Sequence, residues 1–154
     1  MTIIRSYRTS DKKSVLQLIK TELIPKSHTV RSLDGKLLRE IPRRLQQGVT
    51  LVASRTRSSE PYAFIHLMHN KEVLFVDMLV VQSRYQGRQL GRHLMELAEA
   101  SGRMNGCTKA VLYVDKGNDA ASRFYGRLGY AVQRYVKELQ CYELTKSLGA
   151  APQG

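Results

Sequence analysis

Residues 81–94, VQSRYQGRQLGRHL, join two patterns of different period. Before them, Val73 to Val81 is apolar apart from Asp77 and rich in β-branched residues, as a buried strand is. After them, Leu90, Leu94, Leu97 and Ser101 share one face of a helix, with Arg88, Arg92, Glu96, Glu99 and Arg103 outside. A loop carrying Gly87 and Gly91 therefore feeds a strand into a helix start. Such a start suits an anion: its first N–H groups lack partners, the helix dipole adds positive potential, and glycine admits close approach. Arg84, Arg88 and Arg92 add full charges at the same turn. Two glycines alone fit a plain strand-to-helix turn equally well. No Gly-Lys-Ser/Thr follows and a third glycine is missing, so neither a Walker A loop nor a dinucleotide fingerprint is present.

Outward from this loop the chain reads as one alternating series. Ile3 to Tyr7 is a strand, and Ser10 caps a helix carrying Val15, Leu16, Leu18, Ile19 and Leu23 that ends before Pro25. Residues 26–36 form a polar loop with an Asp34-Gly35 turn. Leu37 to Gln47 is helical, with Pro42 starting or kinking it and Gly48 closing it. Val49 to Ala53 is a strand, Arg55 to Pro61 a turn, and Tyr62 to Met68 pairs with Val73 to Val81 around His69–Glu72. Beyond the long helix, Ala110 to Val114 is a strand, and Asn118 caps a helix carrying Ala121, Phe124, Tyr125 and Leu128 that stops at Gly129. Tyr130 to Val136 and Glu138 to Leu144 are the last strands, and 148–154 is a frayed tail after a single domain, 1–147. The order β-α-α-β-β-β-α-β-α-β-β gives an α/β (α+β) class with a mixed, mostly antiparallel sheet.

Composition narrows the function. The chain has 154 residues, within reach of a single domain of roughly 100–150 residues. Its 42% hydrophobic and 25% charged content excludes a disordered chain. The longest apolar run falls far short of the roughly 20 residues that span a bilayer, and no signal peptide is visible. Only Cys107 and Cys141 are present, which fits a reducing cytoplasm. With 25 Lys+Arg against 13 Asp+Glu, the net charge of +12 asks for an anionic partner.

A known family matches at two places. The stretch Leu79 to Leu94 resembles the acyl-CoA-binding segment of the GNAT superfamily of N-acyltransferases, Gln/Arg-x-x-Gly-x-Gly/Ala after a Leu/Val-rich strand. Gln86 and Gly91 match its ends, Gly87 fits its frequent Arg-Gly pair, and Gln89 stands where the middle glycine is usual. Asn118 to Tyr130, NDAASRFYGRLGY, resembles the family's Asn-x-x-Ala-x-x-Phe-Tyr-x-x-x-Gly-Phe helix. The resemblance covers residues 2–145 and implies a GNAT-like fold of about seven strands and four helices. It implies acetyl-CoA as co-substrate, an amine acceptor, direct attack in a ternary complex, and a monomer or homodimer. It places the pantetheine arm along Leu79, Val80 and Val81, with Asn118 bonding it. The pyrophosphate falls on Gln86, Gly87, Arg88, Gln89, Leu90, Gly91 and Arg92. Tyr125 matches the family tyrosine that protonates the departing thiolate, a task suited to a phenol that ionises near about 10.

The general base is open. Asp77 alternates with Leu79 and Val81, so it is expected to face the same cleft as a candidate catalytic carboxylate; pairing with a nearby arginine is the other reading. His66 and Glu72 are weaker candidates, and ordered water needs no residue. No ligand cluster suggests a metal, since His66 and His69 point to opposite strand faces. Cys107 reads as packing. The rival function is a basic module for nucleic acid, with Arg39, Arg43 and Arg44 as one patch and Arg123, Arg127, Arg134 and Lys137 as another. The basic residues are dispersed and no recognised motif organises them, so nucleic acid is not the expected partner. The acceptor is expected between residues 24–48 and 130–143, where Arg31 to Arg44 hint at an acidic molecule.

Overall fold

A computed structural model describes residues 1–23, 25 and 34–149, with the side chains of 34–38 left out. The strands are β1 (Ile3–Ser6), β2 (Val49–Ser54), β3 (Ala63–Asn70), β4 (Val73–Val81), β5 (Lys109–Asp115), β6 (Ala131–Val136) and β7 (Cys141–Ser147). The helices are α1 (Lys12–Leu18), α2 (Asp34–Leu45), α3 (Leu90–Met104) and α4 (Asp119–Arg127). One seven-stranded sheet runs β1-β2-β3-β4-β5-β7-β6. Every neighbouring pair is antiparallel except β4–β5, which the α3 crossover makes parallel. The α+β class and the mixed sheet are as expected.

Two cores flank this sheet. On one face α3 lays Leu94, Met95 and Ala98 over Ile65, Leu67, Leu74 and Val76, with Phe124 and Tyr125 of α4 beside them. On the other, Val15, Leu18 and Ile19 meet Ile41 and Leu45 over Val52, Phe64, Met78 and Val80. Phe64 is fully buried, and deleting a ring from such a site costs about 3–5 kcal/mol.

Several boundaries differ from the sequence reading, each for a local reason. Helix α2 begins at Asp34 and takes in the Asp34-Gly35 pair, and Pro42 lies inside it. The rest of the expected 26–36 loop falls outside the described residues, apart from 34–36. The β3–β4 turn is only Lys71-Glu72, with Lys71 at φ 57, which extends β3 to Asn70. The last strand starts at Cys141 because Lys137 to Gln140 turn, with Gln140 at φ 50. Glu99, expected outside, is buried: it accepts from Tyr130 Oη at 2.8 Å and Lys146 Nζ at 2.7 Å, so the buried face of α3 is Leu94, Met95, Ala98, Glu99 and Gly102. Leu148 does not fray. Its N–H bonds Thr108 O at 2.8 Å and its carbonyl takes Arg103 Nε at 3.0 Å; residues 150–154 lie outside the described ones.

A paired charge fixes the first corner. Arg5 grips Asp11 with both arms, at 2.7 and 2.8 Å, and Asp11 also accepts the Arg8 N–H at 2.8 Å. Burial pushes the Asp11 carboxyl up, but the Arg5 bonds, the Arg8 N–H and both charges outweigh it and hold the group below its ordinary value. A depressed carboxyl stabilises the fold above its unfolded value, about 3.9, and that stability is lost as pH falls through the folded value. Asp11→Ala is expected to cost about 3 kcal/mol at pH 7 in urea titrations, leaving Arg5 buried without its partner. The loss is expected to shrink as the titrations move below pH 4.

Candidate active site

Strands β4 and β5 pair only from Val73–Phe75 to Lys109–Val111, although β4 continues to Val81 and β5 to Asp115. Beyond that point the two part, and a cleft of about 870 Å3 opens between them. Its walls include Leu79 to Val81, Leu112 to Asp115, the 86–92 loop and the Asn118–Leu128 segment. Neither cysteine is among its lining residues, nor is any serine or threonine among the described residues. Cys107 is buried in the core, and that burial pushes its thiol up.

The loop is shaped from three sides. Gln86 Nε2 donates to Val81 O at 2.8 Å, folding the loop back on the strand end. Glu22, from the π-helical turn Ile19–Leu23 after α1, accepts the Ser83 N–H at 3.1 Å and its hydroxyl at 2.7 Å. Gly87 sits at φ 77, open to glycine without strain, and Gln89 at φ 62 caps α3. A side chain at Gly91 would meet Phe124 Cζ at 3.3 Å, so that glycine sets how closely α4 seats on the helix start. Among the described residues, none of the amides from Gly87 to Arg92 donates to a protein acceptor. Six consecutive amides at one helix head are thus left without a protein acceptor among the described residues. Arg84 and Arg88 bracket the Tyr85 ring at 5.6 and 5.7 Å, and Arg92 pairs with Glu96 at 3.2 Å. A second hollow of about 750 Å3 lies past this helix start, with Arg55 and Arg84 in its wall; it shares Tyr85, Gln89, Leu90 and Arg92 with the cleft.

Gln89 clarifies what the usual glycine is for. The position is left-handed, which costs a residue with a Cβ about 1–2 kcal/mol, and the Gln89 side chain is exposed and leaves the cradle open. Gln89→Gly is expected to raise the urea midpoint, a gain of about 0.5–1 kcal/mol after the added freedom of the unfolded chain. Gly87→Ala is expected to lower it.

On the opposite wall Asn118 caps α4, its Oδ1 accepting the Ala121 N–H at 3.2 Å, which leaves its amide donors available to the cleft. Tyr125 stands half-buried, with ring centroids 5.0 Å from Phe124 and 5.9 Å from Tyr130. Its hydroxyl makes no hydrogen bond among the described residues, and burial pushes the phenol well above its ordinary value. Glu99, expected on the outer face, and Lys146 fasten Tyr130 behind it.

Of the two readings of Asp77, the structure shows the pairing with an arginine rather than a carboxylate open to the cleft. Leu67 pairs with Val76 and His66 with Met78, so Asp77 is an extra residue, a bulge. The bulge reverses the alternation: Leu79 and Val81 turn toward α3, while Asp77 turns to α2 on the other face. There its Oδ1 takes Arg44 and its Oδ2 meets His66 Nδ1 at 2.7 Å, and the side chain is 3% exposed. Asp77 is among the residues lining the cleft, but its carboxylate, bonded on both oxygens, is tied into a buried cluster. His66 lies in the core and points to the same face, as Phe64 does. Among the described residues no group of three or more His, Cys, Asp or Glu could hold a metal ion. No described helix is long and apolar enough to cross a membrane.

Comparison with known proteins agrees with this geometry. The acetyltransferase (GNAT) family model matches residues 17–130. The mycothiol acetyltransferase of Corynebacterium glutamicum is 36% identical over 64 residues, 42% of this chain but only 22% of that protein. Among solved structures, the PaiA N-acetyltransferase of Thermoplasma acidophilum, in complex with coenzyme A, superposes with a TM-score of 0.75 at 20% identity over 96% of this chain and 99% of its own. A GNAT-family acetyltransferase of Staphylococcus aureus gives 0.81 at 13% identity over 97% and 100%. The ribosomal-protein-S18-alanine N-acetyltransferase of Escherichia coli gives 0.69 at 18% identity over 99% and 97%.

Proposed function

The chain belongs to the acetyltransferase (GNAT) family, and from that premise we propose that it moves an acetyl group from acetyl-CoA to a primary amine by direct attack in a ternary complex. One observation carries the reading. The end of β4 that lacks β5, the unbonded amides of Gly87 and of Gln89 to Arg92, and the Tyr125 hydroxyl, which has no partner among the described residues, line one cleft.

Each part has a task. The amides and Arg88 neutralise the pyrophosphate at the helix head, as backbone N–H groups and a dipole do for any phosphate. The freed backbone of Leu79, Val80 and Val81 bonds the pantetheine arm, and the Asn118 amide meets it from across the cleft. An N–H of the same edge is placed to receive the charge that develops on the thioester oxygen. Attack forms the C–N bond and breaks the C–S bond; the Tyr125 hydroxyl gives its proton to the departing thiolate, and water takes the proton that the amine sheds. With no cysteine or serine among the described residues of the cleft wall, direct attack on the thioester is the step we propose. Asp77 serves this site by shaping β4, not by taking the proton. The acceptor is a small molecule or a peptide, and residues 26–33, Arg31 among them, lie outside the described wall of its site.

Acetyl-CoA is expected to raise the melting temperature, with about 2.7 kcal/mol of stabilisation at one hundred times its Kd. No shift at millimolar acetyl-CoA would remove the co-substrate. Tyr125→Phe is expected to keep that shift while slowing turnover at least about tenfold, within the range a positioned acid supplies. Because burial raises the phenol, the acid stays protonated through neutrality. The alkaline side of the wild-type kcat profile is therefore expected to show no loss from this group below about pH 10. Screening amines and peptide N-termini for release of free CoA identifies the acceptor.

A further inference from the structure

Resting on the acetyl-CoA reading, we propose that His66 is a positioning residue: it pins the Asp77 bulge and so sets the line of the β4 edge that receives the acetyl-pantetheine arm. On its β5 side that edge has no strand partner beyond Phe75, so only β3 and side chains hold it. The β3 ladder is itself interrupted at Asp77, at the place where support is most needed. Side-chain bonds stand in for the missing rungs. Asp77 Oδ2 meets His66 Nδ1 at 2.7 Å, and His66 Nε2 meets the Gln47 carbonyl at 2.6 Å. Asp77 Oδ1 takes the Arg44 guanidinium.

The path from Gln47 through His66 and Asp77 to Arg44 begins two residues past α2 and ends in its last turn. It clamps the bulge to that helix. Both ring nitrogens face oxygens, one of the Asp77 carboxylate and one of the Gln47 carbonyl. The ring is 0% exposed, so water replaces neither bond if the imidazole is removed. Holding Asp77 out of the ladder has a direct consequence for the cleft. A regular β4 register would exchange the two faces beyond Val76 and turn Met78 and Val80, now in the α1–α2 core, toward the cofactor side. Every residue from Asp77 to Val81 touches the cleft, but Leu79 and Val81 pack on its α3 side only while the bulge is kept.

Calorimetric binding of acetyl-CoA and of adenosine 3′,5′-bisphosphate, which lacks the arm, separates this role from general stability. His66→Leu is expected to weaken acetyl-CoA at least tenfold and to leave the bisphosphate within twofold. Val52→Ala, a cavity in the same core, serves as the stability control and is expected to change neither affinity. Should His66→Leu fail to fold, His66→Gln keeps one of the two bonds and is expected to weaken acetyl-CoA about threefold, again with the bisphosphate unchanged. Acetyl-CoA affinity within twofold of wild type in a folded His66→Leu protein, or unchanged in His66→Gln, overturns the pin. If wild type binds no acetyl-CoA, the acetyl-CoA reading fails instead. Amide exchange at Met78 to Val81 then decides the pin alone: His66→Leu or His66→Gln must speed it at least tenfold relative to Val52→Ala, and equal rates overturn it.

Discussion

Strand β4 has to serve two cores at once. Leu74 and Val76 pack beneath α3, whereas Met78 and Val80, at the same alternation, pack beneath α1 and α2. A regular strand cannot do this, because alternate residues share a face. One extra residue resolves it, and that residue is Asp77. Its carboxylate is bonded on both oxygens, by Arg44 and His66, at the point where the ladder is broken. Just before the bulge β4 also loses β5, so its far half faces a cleft instead of a neighbour. The site therefore follows from how the chain satisfies its cores: the same bulge that packs Met78 and Val80 on one side exposes a strand edge on the other.

The helix head completes what the strand edge begins. A helix start leaves its first amides without intrahelical partners, and here, with Gly87 and Gln89 at positive φ, the amides from Gly87 to Arg92 have no protein acceptor among the described residues. Gln86 and Glu22 hold the loop where it leaves β4, just before the unbonded amides. These amides matter more than net charge. Of the +12 excess, the arginines among the described lining of the cleft are Arg92 and Arg127, and Arg92 is already paired with Glu96, while Arg88 lines the neighbouring hollow. Arg84 and Arg55 face the second hollow beyond the helix start.

Much of the site could be read from spacing. The loop and the Asn118–Tyr130 segment fall on the elements expected of them, with the strand, the helix start and the Asn118 cap in place. Three features could not be read that way. Asp77 looked as if it faced the cleft, because a bulge leaves no mark in a sequence whose alternation continues unbroken through it. Glu99 looked external, since its bonds to Tyr130 and Lys146 join residues 31 and 47 positions away. Leu148 looked like the start of a tail, although its anchors, Thr108 and Arg103, lie far back in the chain. Each miss is a long-range contact that overrides a local pattern. Gln89 is the reverse case: the missing glycine was noticed, and its left-handed backbone explains why glycine is usual there.

The most direct measurement is an amide-exchange footprint of the wild-type protein with and without acetyl-CoA. Slowed exchange is predicted at Met78 to Val81 and at Gly87 to Arg92 together, with β1 and β2 unchanged. Protection confined to the Arg55 and Arg84 hollow, or absent from the β4 edge, would contradict the account.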